Sequence, residues 1–349
     1  MKNKLDILIQ NKNKFIDLRS EKEFLKGSIP GSVNMPILSN NEHEAVGIEY
    51  KKKGQESAIN LGHTLVSASV KEKRVKAWLH YIKENPNTKI FCYRGGLRSQ
   101  IALKWIKDSG TTTSIVKGGY KQFRSFCLDI IQLKNKSTKK WVIIGGNTGS
   151  GKTDFILPYK STIDLEGIAN HRGSAFGKKI SDQPTASNFE NTLALKYFKN
   201  KSDFLLLEDE SRLIGKNILH ENWYQKMQRS DLVIIKVNLS ERVNNIYREY
   251  ISEPLAKNIN YEFLNSMMSK ALFNIQKRLG GERYIDIQKI MKKSFKDRNK
   301  ILHRTWIKKI LIYYYDPMYN YKMEKRSQYI KFSGSPKEVK AYLNNIGVT

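Results

Sequence analysis

At 349 residues the chain is too long for one ordinary core and suits two domains, and with 40% apolar and 11% aromatic residues it excludes general disorder. A net charge of +29 points to a polyanionic partner, nucleic acid above all, although part of the excess lysine serves as solvated surface. Two cysteines, Cys92 and Cys127, exclude a disulfide framework or a four-thiolate zinc centre, and with no membrane-length apolar run or signal peptide the expectation is a cytoplasmic protein without membrane contact.

In chain order, "KFIDLR", "SVNM", "KIFCY" and "TSIVK" predict short strands. Apolar spacing near 3.6 predicts helices over about 70–84, 98–108 and 119–132. "QLKNKSTKK" is polar, basic and aperiodic, as a linker is. Strands are expected again at "WVIIG", "STIDLE", "DFLLLED" and "DLVIIKVN", and helices from about 240 onward. Residues 40–66 and 165–190 are expected to be long functional connections. The fold class is therefore α/β, with domains at 1–132 and 141–349, a linker at 133–140, and a helical C-terminal part.

"GGNTGSGKT" sets Gly146, Gly149, Gly151, Lys152 and Thr153 between a strand and a helix in the spacing of a phosphate-binding loop. Glycines let backbone N–H groups turn toward phosphate oxygens, Lys152 brings a point charge, and Thr153 offers a hydroxyl to Mg²⁺. "FLLLEDES" ends a later strand in Glu208, Asp209 and Glu210, where such folds hold the metal. Glu208 and Asp209 are the expected metal residues, Asp164 is a weaker candidate, and a solvated strand end is the plainer alternative.

"FCYRGGLRSQ" surrounds Cys92 with glycines, Arg94 and Arg98, company that suits a reactive thiol rather than a packed one. A loop curling back after Cys92 would aim its amides at the sulfur, with a helix starting near Arg98 behind it. Cys127 lies with Phe123, Ile130 and Ile131 at helical spacing and belongs in a core.

"FIDLRSEKEFLKGSIPGSVNMP", with a cysteine ending a later strand, resembles the rhodanese-like sulfurtransferase domain, departing from its pattern at Ser28, where His is usual, and Ser32, where Ala is usual. A rhodanese-like domain followed by a P-loop NTPase-like domain resembles the tRNA 2-selenouridine synthases over nearly the whole chain. "VKGGYKQFR", "DLEGIANHRGSAFG", "EDESRLIG", "KRLGGERY" and "YYDPMYNYK" share in that resemblance. It implies conversion of 2-thiouridine in the tRNA anticodon stem-loop to 2-selenouridine, through S-geranylation by geranyl diphosphate and then selenation by selenophosphate. A selenophosphate-supplying enzyme is an implied partner. Cys92 would carry selenium or act as nucleophile, and Gly151, Lys152 and Thr153 would hold the diphosphate.

Within that reading Arg172 could reach a phosphate, while His171 could act or merely brace its loop. Met267, Met268, Leu272 and Phe273 could form an apolar slot or an ordinary helix core. Lys308, Lys309 and Lys322, interleaved with aromatics, suit RNA, as do Lys51, Lys52 and Lys53 if they are more than solvated surface. Two alternatives stay open: an NTP-driven sulfurtransferase using a Cys92 persulfide, and an NTP-regulated RNA-binding protein with an inactive rhodanese module.

Overall fold

The computed structural model describes residues 13–134 and 138–348, and the chain divides into two compact units. Residues 135–137 of the expected linker lie outside the described residues. The first unit comprises residues 1–135 together with 184–199.

Its elements are β1 (Phe15–Asp17), α1 (Glu21–Lys26), β2 (Ser32–Asn34), α2 (Asn40–Leu65), α3 (Ala68–Glu84), β3 (Lys89–Phe91), α4 (Leu97–Asp108), β4 (Ser114–Ile115) and α5 (Gly119–Ile131). The sheet is parallel in the order β2-β1-β3-β4, with Ile16 opposite Val33 on one side and Ile90 on the other. β1 is buried along its whole length, as expected of a central strand in a parallel sheet. Its core joins Ile16, Leu18 and Ile90 to the stacked rings of Trp78 and Trp105.

The four strands and three helices fall close to their expected places, whereas residues 40–66 are not a loop. They form the 26-residue α2, opened by a capping box between Ser39 and Glu42 and kinked at Gly54, where φ is 84°. Three glycines and a mostly polar sequence hide its periodicity. The departures from the rhodanese pattern also find their place, since the Ser28 hydroxyl donates to Asp17 at 2.7 Å and lies 2.7 Å from that of Ser32. Asp17 simultaneously grips the buried Arg19, so this acid–arginine motif braces the fold from inside.

The second unit comprises 136–183 and 200–349. Its parallel sheet runs β10-β9-β5-β6, from β5 (Lys140–Gly145), β6 (Phe204–Glu208), β9 (Asp231–Ile235) and β10 (Ile330–Gly334), and the pair β7 (Leu213–Ile214) and β8 (Asn217–Ile218) forms a small hairpin. The strand expected at "STIDLE" reduces to a single bridge between Thr162 and Leu206. β10 was not expected, because it follows a long helical stretch and only its pairing with β9 makes it a strand.

The α-helices of five or more residues in this unit are α6 (Lys152–Ile156), α7 (Leu165–Ala169), α9 (Glu221–Gln228), α10 (Leu239–Tyr247), α11 (Tyr261–Asn274), α12 (Gly281–Lys296), α13 (Lys300–Ile310), α14 (Asp316–Glu324) and α15 (Pro336–Asn345).

The remaining helix, α8 (Ala186–Lys199), follows the phosphate loop in sequence but packs on α5 in the first unit. The second domain drawn at 141–349 thus gives up residues 184–199. The cause is a buried polar clasp. Asn191 accepts from Arg124 at 2.9 Å and donates to the Ser28 carbonyl at 2.9 Å, Asn188 accepts from the Ser28 N–H, and Arg124 also pairs with Glu190. Cys127 lies in this contact, fully buried, with burial pushing its thiol well above the ordinary range, as befits a packing cysteine. Asn191→Ala strands these partners and should lower unfolding free energy by about 2 kcal/mol, read from denaturant midpoints.

Candidate active sites

In the first unit Cys92 directly follows β3 and is 4% exposed. The loop after it is shorter than expected, because α4 begins at Leu97. Among the described residues, none of the N–H groups from Tyr93 to Arg98 is taken up by a backbone or side-chain acceptor. The loop is held instead by its carbonyls, with Tyr120 N–H donating to Cys92 O at 3.0 Å and Lys121 N–H to Tyr93 O at 2.8 Å. This close approach needs Gly119: its φ is 54°, and a Cβ there would lie 2.2 Å from Cys92 O. "VKGGYKQFR" therefore carries the glycine that lets α5 seat the cysteine loop.

The two arginines differ. Arg98 donates to both oxygens of Glu23, at 2.6 and 3.1 Å, while His43 of α2 stands 3.6 Å from the same carboxylate. Burial would raise the Glu23 carboxyl and lower the Arg98 guanidinium, but their pairing outweighs it and holds both charged. Arg94 is exposed and makes no hydrogen bond or ion pair among the described residues.

In the second unit the phosphate loop joins β5 to α6, and Lys152 Nζ donates to Gly146 O at 2.9 Å. A cavity of about 390 Å³ lies over it, reached by Gly149, Gly151, Lys152, Thr153, Arg172 and Glu210 among others. Ligand oxygens of Glu166, Glu208 and Glu210 all lie within 4.8 Å of one another. Glu166, on α7, was missed by sequence reasoning, and it accepts from the Thr153 hydroxyl at 3.2 Å.

Asp209 does not join this cluster. It turns away and pairs with the buried Arg326, because successive side chains at a strand end point to opposite sides. Glu208 and Glu210, two apart, share the inward side, a signal already present in the alternation. Asp164 serves as the α7 N-cap, accepting from Gly167 N–H at 2.6 Å. Gly173 closes the cavity wall so tightly, at φ 54°, that a Cβ would come 2.1 Å from Glu210 Oε2.

Burial pushes the Glu208 carboxyl up to about 8, with Glu166 adding repulsion; Glu210 is raised by burial and by Glu166 and Glu208, and Glu166 by burial with a smaller push from Asp164. Neither oxygen of Glu208 has a hydrogen-bond partner. Orphaned buried carboxylate oxygens at this spacing fit a hard divalent cation such as Mg²⁺.

Arg172 lies over the Tyr250 ring and donates to Glu249 O at 3.3 Å, with its edge on the cavity. His171 is half-buried beside it, lowered by burial and by the charges of Lys179 and Arg172. Met268 and Leu272 belong to the helical core, Met267 packs against it, and Phe273 is 62% exposed, so none of the four lines the phosphate cavity. An apolar slot does open there, formed by Phe176, Trp306, Ile307, Ile310 and Leu311, and it shares Thr148, Ser174, Ile246, Tyr250 and Tyr315 with the phosphate cavity. It is narrow, about 20 Å³. Lys322 lines the phosphate cavity, Lys309 pairs with Asp286 at 2.8 Å, and Lys308 is exposed, as are Lys51, Lys52 and Lys53.

Family models match both units. A rhodanese-like domain covers residues 2–126, and the tRNA 2-selenouridine synthase AAA domain covers residues 139–347. The chain is 39% identical to the tRNA 2-selenouridine synthase of Shewanella oneidensis MR-1, with 98% of this chain and 94% of that protein covered. It is 41% identical to that of Shewanella sp. ANA-3, covering 95% and 94%.

The carboxylate cluster dictates a pH response. Because the fold keeps protons that the unfolded chain releases, stability in chelator should fall as pH rises from about 4.5 to about 8. Glu208→Gln should flatten that fall, raise the melting temperature in chelator, and remove the stabilisation that Mg²⁺ gives the native protein. A melting curve series against pH, with and without Mg²⁺, checks all three.

Proposed function

The chain belongs to the tRNA 2-selenouridine synthase family, a family of tRNA-modifying transferases, and we propose that it makes 2-selenouridine in two steps, one at each of its candidate sites. In the first, the sulfur of a tRNA 2-thiouridine attacks the allylic carbon of geranyl diphosphate. The carbon–oxygen bond breaks, diphosphate departs, and the base releases its N3 proton. Lys152 and the loop amides hold the diphosphate, and Arg172 lies at the edge of the same cavity. Mg²⁺, held by Glu166, Glu208, Glu210 and Thr153, would neutralise charge on the departing diphosphate.

The observation that carries this reading is the apolar slot opening off the phosphate cavity. Phosphate-binding residues alone do not distinguish a nucleotide from a prenyl diphosphate, whereas a slot of aliphatic and aromatic side chains favours a hydrocarbon tail. At about 20 Å³ the slot is smaller than a geranyl chain, so Tyr250 and Tyr315, which line both cavities, would have to part to admit it.

In the second step selenium from selenophosphate attacks C2 of the alkylated base. The carbon–sulfur bond breaks, geranyl thiol leaves, and water removes the phosphoryl group from selenium. The free N–H groups after Cys92 and the exposed Arg94 suit the selenium anion, and the buried Cys92 opens that loop.

The tRNA would find a basic surface on the α12–α13 hairpin, where residues 281–310 hold ten lysines and arginines against three acids. Lys289, Lys292, Lys293 and Lys296 form one exposed stripe of α12. Reversing Lys292, Lys293 and Lys296 to glutamate should weaken tRNA binding at least ~10-fold and flatten its salt dependence by about two to three units of slope.

Geranyl diphosphate with Mg²⁺ should raise the melting temperature more than ATP or GTP does, and Lys152→Ala should abolish that shift and cut S-geranylation at least ~10²-fold. Cys92→Ser should block selenium incorporation into pre-geranylated tRNA while leaving S-geranylation intact. Stabilisation by ATP alone, with geranylation indifferent to Lys152→Ala, would favour the NTP-driven sulfurtransferase instead.

A further inference from the structure

A second apolar pocket, of about 300 Å³, lies wholly within the first unit. Val46, Ala58, Ile59 and Gly62 of α2 form one wall, and Leu97 and Ile101 of α4 face them. Arg98 stands at its edge, occupied by Glu23, so the pocket offers a hydrocarbon surface with scarcely any polar partner. Leu97 is 43% exposed and Tyr50 is 56% exposed, so apolar side chains continue to the mouth.

Two features set this pocket apart from a packing gap. One is position: Leu97 and Arg98 make the first turn of α4, which directly continues the Cys92 loop. The other is Gly62. It sits inside α2, far from the kink at Gly54, where glycine costs stability relative to alanine. Its φ is not left-handed, and a Cβ added there would meet nothing closer than Val46 Cγ2 at 3.8 Å. Neither backbone geometry nor close packing demands glycine at this point; what its missing side chain leaves is room in the pocket.

We propose that this pocket receives the S-alkyl chain of the tRNA base while selenium is exchanged at the Cys92 loop. The proposal rests on the S-alkylation reading above. A base that has gained a hydrocarbon chain must shelter that chain from water when it reaches the second site, and this cavity has the size and lining for a small apolar group. It also explains an order of events, since an unalkylated thiouridine cannot fill the pocket and so gains nothing from it. The wall that makes it is α2, the long helix between β2 and α3.

The test uses the full-length protein with Gly62→Phe, which fills the pocket, Gly62→Ala as the conservative control, and Leu97→Gln as a second variant at the exposed rim. Binding of the S-geranyl-2-thiouridine nucleoside is measured by calorimetry, and selenation of S-geranylated tRNA by nucleoside mass spectrometry. Gly62→Phe should lower both nucleoside affinity and the kcat/KM of selenation at least 10-fold, Leu97→Gln should act in the same direction, and Gly62→Ala should stay near the native protein. S-geranylation of 2-thiouridine tRNA should be unchanged in all three, and the melting temperature should not fall, rising slightly in Gly62→Ala as helix propensity requires. If the native protein binds the nucleoside in a Gly62-dependent way yet does not selenate the tRNA, the pocket stands and the two-step reading falls. If it selenates the tRNA and Gly62→Phe does so equally well, the two-step reading stands and the pocket assignment is overturned.

Discussion

Three carboxylates crowded into one buried space are the constraint around which the second unit is arranged. Glu208 is fully buried at the end of β6, with Glu166 and Glu210 close enough for all three to share one cation. Such a cluster is unfavourable on its own terms, because burial and mutual repulsion both oppose ionisation. Its surroundings accommodate it at measurable cost to sequence freedom. Gly173 must be glycine to clear the Glu210 carboxylate, and Asp209 is removed from the cluster by its ion pair with Arg326. A divalent cation bound among the three acids would reverse their repulsion.

The phosphate loop is pinned from the far end of the chain. Arg242 of α10 donates to Thr148 O at 2.9 Å and grips Asp316, whose carboxylate also accepts from Asn147 at 2.9 Å. Asn245, on the same helix, donates to Gly149 O at 3.0 Å. Asp316 opens α14 directly after a turn of π-helix at Leu311–Tyr315, an irregularity that brings Tyr315, Met318, Tyr319 and Lys322 onto the cavity. "YYDPMYNYK" is thus the strap that fixes the loop and lines one side of its cavity, a role that no local reading of its aromatics and lysines could assign.

What the sequence made legible was what short-range pattern controls. The strands at "KIFCY" and "WVIIG", the helix after Cys92 and the phosphate loop follow from apolar runs and glycine spacing, and all lie where expected within a few residues. The misses depend on partners distant in sequence. α2 has too little periodicity to declare itself and is stabilised by its capping box and by the Arg74–Glu42 pair from α3. α8 is drawn into the first unit by Asn191, which in the sequence looks like any other polar helix residue. At the metal cluster, strand alternation could have separated Asp209 from Glu208 and Glu210, whereas Glu166 became visible only when α7 was placed against them.

On the two-step proposal the two sites would hold anions by different means. At the phosphate loop Lys152 and a carboxylate cluster spaced for a cation line the cavity, fields that would stabilise a departing diphosphate. At the Cys92 loop the nearest full charge, Arg98, is already neutralised by Glu23, leaving unpaired backbone N–H groups and the solvent-exposed Arg94. Such a cradle would orient an anion through dipoles and one screened charge, without drawing it into a tight ion pair. On the two-step proposal, Glu23 would thus matter beyond packing, because by occupying Arg98 it leaves the loop N–H groups and Arg94 to meet the anion.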